Sequence, residues 1–244
     1  RYEKQNRPLS LQEDFLRWML SDGAGALLLE NVPSKNKISL EINWIDIKSY
    51  ANKYDPCMYA GTNDPKKNQT WLDYDSFEDA AIDGAINIRQ DLKIVNEMVK
   101  VGIDHYFKLI DKGIVIPSEI DHVLCHYSSH HFKKMLIDLL IKSESMISEK
   151  KWFSNLYSKG NTGSASIIIM IDEFLNKKIP KHGEKILLMV PESGRFISSY
   201  MECTVIYPNS IITVEKSFKN TNIKAPELNI GNKKPQAWLV RQLT

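Results

Sequence analysis

Ile120-Asp121-His122-Val123-Leu124-Cys125-His126 and, further on, Lys159-Gly160-Asn161-Thr162-Gly163-Ser164-Ala165-Ser166 decide the fold. The first stretch reads as a buried strand that delivers His126 at its end. After it, Phe132, Met135, Leu136, Leu139 and Leu140 recur at helical spacing, with Ser128 or Ser129 available as the N-cap. The second is a small, polar turn set directly before the apolar run 167–171, and residues 164–177 read as a further helix with lysines at its end. Strand, turn and helix repeated in this way predict an α/β layered fold, with a mixed sheet carrying helices on both faces. In such folds ligands bind beyond the C-terminal ends of strands, which is where His126 stands.

Working outward, Ser21-Asp22-Gly23-Ala24-Gly25-Ala26 followed by Leu27-Leu28-Leu29 predicts a tight turn feeding a buried strand, its small residues allowing close backbone packing. No Lys-Ser/Thr pair follows the glycines, which excludes a phosphate loop. Residues 38–47 alternate as a strand, and residues 94–110 carry a helical apolar stripe. Between them, positions 50–75 hold two Asp-Pro pairs, tyrosines and Trp71, an insertion whose aromatics either line a pocket or anchor the loop. Lys185 to Val190 predicts a buried strand, Pro191 to Phe196 a turn, and Ser199 to Ile206 a closing strand. The tail 207–244 shows no period.

With 32 basic and 30 acidic residues among 244, the chain has no overall basic character that would call for nucleic acid. Its longest apolar runs are too short to cross a bilayer, so no membrane partner is expected. Three cysteines without a CxxC pair predict a reducing, cytoplasmic setting. His122, His126, His130 and His131 would need one continuous helix to share a metal, and the strand-to-helix break at His126 prevents it, so no metal is expected.

A histidine and an asparagine amide aimed at one oxygen can both donate to an enolate or oxyanion. His126 is either that donor or a packed core histidine, and Asn161 either that donor or a left-handed turn residue. Several motifs together resemble the β-ketoacyl-acyl carrier protein synthase III group of thiolase-like condensing enzymes, over roughly residues 15–206. They are Ser-Asp-Gly-Ala-Gly-Ala at 21–26, Val-Leu-Cys-His at 123–126, Gly-Asn-Thr-Gly-Ser-Ala-Ser at 160–166, and the run from Asp172-Glu173 through Gly183-Glu184-Lys185 to Ser193-Gly194-Arg195-Phe196. The resemblance implies a thiolase-like fold, with residues 1–45 ending its N-terminal half and 46–206 forming its C-terminal half; 207–244 is an extension. It implies decarboxylative condensation of an acyl thioester with malonyl-carrier protein, in fatty acid or polyketide synthesis, with no cofactor beyond coenzyme A or phosphopantetheine thioesters as substrates.

His126 and Asn161 take the enolate-stabilising roles by position, and Ser193 or Gly194 a backbone amide of the oxyanion hole. Tyr127, Arg195 and Phe196 fall at the substrate, with Arg195 limiting the accepted acyl chain. Lys133 and Lys134 either meet an acidic acyl carrier protein or form a solvated helix face. The family's nucleophilic cysteine precedes the 21–26 motif, so the chain reads as the C-terminal half of a homodimeric enzyme, inactive alone. The other reading is a non-catalytic partner subunit serving dimerisation or carrier docking.

Overall fold

The computed structural model describes residues 8–67, 69–208 and 237–240. In chain order the elements are α1 (Leu11–Met19), β1 (Leu28–Glu30), β2 (Ser39–Ser49), β3 (Met58–Tyr59), α2 (Phe77–Asp83), β4 (Arg89–Gln90), α3 (Val95–Asp111) and β5 (His122–Cys125). There follow α4 (His130–Lys142), β6 (Trp152–Phe153), α5 (Leu156–Lys159), α6 (Ser166–Lys177), β7 (Lys185–Glu192), β8 (Ile197–Ile206) and β9 (Ala237–Val240). One sheet runs in the order β1-β9-β2-β8-β7-β5-β6, and β3 and β4 form a separate two-stranded ribbon. It is mixed: β5 lies parallel to β6 and β7, while β7, β8, β2, β9 and β1 pair antiparallel in succession.

Period-two alternation sorts the core into two layers. Val123, Cys125, Leu187 and Met189 face α3 and α4, where they pack with Tyr106, Leu109, Leu136 and Leu140. Leu124, Ile186 and Leu188 face the other way, onto Met170, Ile171, Phe174 and Leu175 of α6. The sheet with helices on both faces is as expected. Ser129 is the N-cap that starts α4, its hydroxyl accepting from the N–H of Phe132.

Several details differ from the sequence reading. The leucines at 27–29 do not form a buried strand, for Leu29 is 60% exposed and all of β1 is open. The close packing expected of the preceding motif does occur: a Cβ on Gly23 would stand 2.6 Å from the Thr162 Cβ, and one on Gly25 2.7 Å from that of Ile168. β2 runs unbroken through positions 45 and 46, with a bulge between Ile42 and Trp44. The insertion's aromatics anchor it rather than line a pocket: Tyr54 stacks on Phe196 at 4.4 Å, and Trp71 meets Phe77 edge-on. Of the tail, positions 207–208 and β9 are described, and the rest of positions 209–244 lies outside the described residues.

Candidate active site

β5 ends at Cys125, and the N–H of His126 extends its ladder by donating to the Met189 carbonyl at 2.9 Å. That bond fixes where the imidazole leaves the sheet. The chain then turns through Ser128 in the left-handed region (φ 46°) before α4 begins, a conformation disfavoured for a residue with a Cβ. His126 keeps part of its surface open to a cavity of about 480 Å³ that Asn161 also lines. Enclosure pushes the imidazole down to about 4, so the ring is neutral at neutral pH and offers one N–H donor and one acceptor. Among the described residues its side chain has no hydrogen-bond partner.

Asn161 is held with more constraint. Its carbonyl accepts from Ser21 N–H at 2.7 Å, and a single parallel bridge joins it to Leu20. Gly160, before it, stands at φ 70°, where a Cβ would come 2.1 Å from the Ser21 hydroxyl; only glycine allows the two segments to meet here. The side-chain Oδ1 accepts from Gly163 N–H at 3.1 Å. Because a backbone N–H requires an oxygen opposite it, this bond settles the orientation of the amide and leaves Nδ2 as the free end. Among the described residues Nδ2 meets no acceptor, although Asn161 is only 7% exposed. Asn161 itself is not in the left-handed region, so the turn-residue alternative falls; Gly160 and Gly163 carry the positive φ angles.

The remaining lining is largely apolar. Phe15, Leu16, Met19 and Leu20 come from α1 and the residue after it, Met98 and Val99 from α3, and Phe132 and Leu136 from α4. The sequence reading missed α1, although the capping box of Ser10 and Glu13 marks its start. Glu13 also ties α1 down, its buried carboxylate pairing with Arg89 at 2.9 Å and accepting from Asn87 at 2.7 Å.

Of the other residues singled out, Tyr127 and Ser193 line the cavity. Gly194, Arg195 and Phe196 do not. The Gly194 N–H donates to the Glu192 carboxylate at 2.5 Å, so this amide is already engaged, contrary to an open oxyanion donor. The Arg195 side chain is exposed. Phe196 is fully buried against Cys57, Met98 and Val101, a core side chain where the sequence suggested a substrate contact; its left-handed backbone (φ 49°) turns the ring away. Lys133 lies 5.9 Å above the Tyr127 ring and 3.7 Å from Glu149, while Lys134 is exposed.

All three cysteines are free and buried, and burial pushes each thiol up to about 12, the wrong direction for a nucleophile. The histidines are dispersed: His122 pairs with Glu184 at 2.8 Å, and His130 packs on Tyr157. Among the described residues no helix is long and apolar enough to cross a membrane.

Comparison with known proteins places this fold. Residues 110–200 match the family model of the 3-oxoacyl-[acyl-carrier-protein (ACP)] synthase III C terminal. Over 91 residues the chain is 32% identical to the β-ketoacyl-[acyl-carrier-protein] synthase III of Clostridium novyi, a match covering 37% of this chain and 26% of that protein. The 3-oxoacyl-(acyl carrier protein) synthase III of Pseudomonas aeruginosa superposes with a TM-score of 0.50 at 17% identity, over 68% of this chain and 44% of that one. For the Aquifex aeolicus synthase III the TM-score is 0.49 at 19% identity, over the same shares. The chain thus resembles the C-terminal half of a synthase III-like condensing enzyme, with the thiolase-like fold, and spans less than half the length of these relatives.

Proposed function

We propose that this chain is the C-terminal portion of a β-ketoacyl-ACP synthase III-like enzyme, an acyltransferase that condenses an acyl thioester with malonyl-ACP. The observation that carries this reading is the Asn161 amide, nearly buried at the cavity wall with Nδ2 free, and lining the same cavity as a neutral His126. In the step proposed, the malonyl thioester loses carbon dioxide and the electron pair of the broken C–C bond enters the thioester carbonyl. Asn161 Nδ2–H and the imidazole N–H donate to the enolate oxygen so formed, in a water-poor site where such donors act strongly. The enolate carbon then attacks the acyl thioester, forming the new C–C bond, and the thiolate of the enzyme departs. That nucleophile is supplied from outside these residues, since the three thiols here are buried and held protonated.

Coenzyme A or phosphopantetheine thioesters are the substrates, acyl carrier protein is the partner and no cofactor is required. Lys133 and Lys134 are the docking residues proposed for the carrier, the parent is a homodimer, and the free thiols suit a reducing cytoplasm. On the intact protein, His126→Ala and Asn161→Ala should each lower release of carbon dioxide from malonyl thioester by roughly a hundredfold or more; unchanged release by either variant removes that residue from the mechanism. A second reading, a non-catalytic subunit for dimerisation or carrier docking, is favoured by the engaged amide of Gly194. It requires that the wild type itself release no carbon dioxide while still binding carrier protein.

A further inference from the structure

The hairpin between β7 and β8 has a carboxylate folded back onto its own turn. Glu192 ends β7; its Oε1 accepts from Gly194 N–H at 2.5 Å and its Oε2 from Arg195 N–H at 2.9 Å. Successive backbone amides aimed at one anion form a nest. Gly194 is not in the left-handed region, so the backbone conformation does not ask for glycine there. The requirement is steric: a Cβ would stand 2.6 Å from Glu192 Oε1 and 3.2 Å from the Met58 carbonyl oxygen. Glycine is what lets the carboxylate lie against the turn.

The turn is also fixed from outside. Cys57 N–H donates to the Ser193 carbonyl at 3.2 Å, the Ser49 hydroxyl to that of Arg195 at 3.3 Å, and Tyr50 N–H to that of Phe196 at 2.9 Å. Its amides therefore have one direction, and Glu192 fills it. Glu192 belongs to the cavity wall as well, and among the described residues of that wall it is the one side chain with a formal charge at neutral pH, His126 being neutral.

We propose that Glu192 is a built-in anion of this turn, occupying the two amides that a ligand's negative oxygen would otherwise reach. The turn then offers a substrate at most the N–H of Ser193, and carbonyl polarisation falls to Asn161 and His126, a consequence that rests on the carbonyl-activating reading of the cavity. Glu192 is on this view a specificity determinant: a ligand whose negative oxygen must rest on the 193–195 amides is excluded, and one presenting a neutral carbonyl to Asn161 is admitted.

Backbone amide NMR of the full chain, with acetate as the probe anion, tests this directly. Wild type should show no acetate-dependent shift at Gly194 or Arg195. Glu192→Ala should show saturable shifts confined to residues 193–195, because acetate takes the place of the missing carboxylate. Glu192→Gln keeps one acceptor oxygen, so only one of the two amides should respond; this variant carries the test if the alanine variant loses its dispersed spectrum. Equal responses in wild type and variants, or none in any of them, would overturn the proposal. The readout involves no thioester, so loss of the condensation reading would leave it standing and its own failure would leave that reading untouched.

Discussion

Two walls of the same cavity treat their polar side chains in opposite ways. On the wall built from α1, β3, β4 and the β7–β8 turn, Glu13, Gln90 and Glu192 are answered from within the protein. Glu13 accepts from Arg89, Asn87 and both the N–H and hydroxyl of Ser10. Gln90 donates to the Cys57 sulfur and carbonyl, and Glu192 closes its own turn. On the wall where β5 and α6 begin, Asn161 Nδ2 and the His126 ring line the cavity without a described partner. A donor that lines a cavity without a partner in the protein is open to an acceptor on a ligand. On the proposed function the second wall is the binding wall; the first holds the fold together, with Glu192 in its turn also screening the ligand.

The largest expected effect breaks the first wall. Glu13→Ala leaves the Arg89 guanidinium enclosed without its carboxylate, and loss of one partner of a buried pair costs about 3–5 kcal/mol. Denaturant unfolding should register that loss. Asn161→Ala removes one bond to Gly163 N–H and should cost only about 1 kcal/mol, against the roughly hundredfold loss of carbon dioxide release expected on the proposed function. If the two variants unfold at the same denaturant concentration, the contrast between the walls is wrong.

Most of the binding wall was legible in the sequence because its signals are local. A period-two run ending at His126, a Ser cap, and small residues before an apolar helix each act over a few positions, and the structure places β5, α4 and α6 accordingly. The stabilising wall was not, for its contacts join residues far apart in the chain: Glu13 meets Arg89, and Cys57 meets Ser193. Two misreadings have particular causes. Leu27 to Leu29 looked like a buried strand because a leucine run states its own character and not what covers it. Phe196 looked like a substrate contact because it closes a turn beside the cavity, and a left-handed backbone angle at that residue sends its ring into the core instead.

A smaller effect comes from His126. Its folded value near 4 lies below the ordinary 6.5, so protons bind more readily to the unfolded chain between those limits. The stability that the neutral ring contributes is therefore complete above about pH 6.5 and is lost as pH falls through 4. Allowing for the part of the ring open to the cavity, the loss is on the order of 1–2 kcal/mol. Comparing urea unfolding at pH 7 and pH 4.5 should show wild type losing that much more than His126→Gln, which has nothing to protonate there. Equal losses would mean that the ring already has a partner, as groups on the opposite wall do.

The smallest effect is expected at Arg195, where residue type suggested most and geometry supports least. The residue serves the turn through its backbone, its N–H bound to Glu192 and its carbonyl to the Ser49 hydroxyl, and both bonds survive replacement of the side chain. The guanidinium itself is exposed and does not line the cavity. Arg195→Gly should therefore leave the range of accepted acyl chains unchanged, measured as competition between short and long acyl thioesters at the intact protein. A shift toward longer chains would show that the guanidinium reaches the cavity. It would also give the turn a second specificity element beside Glu192.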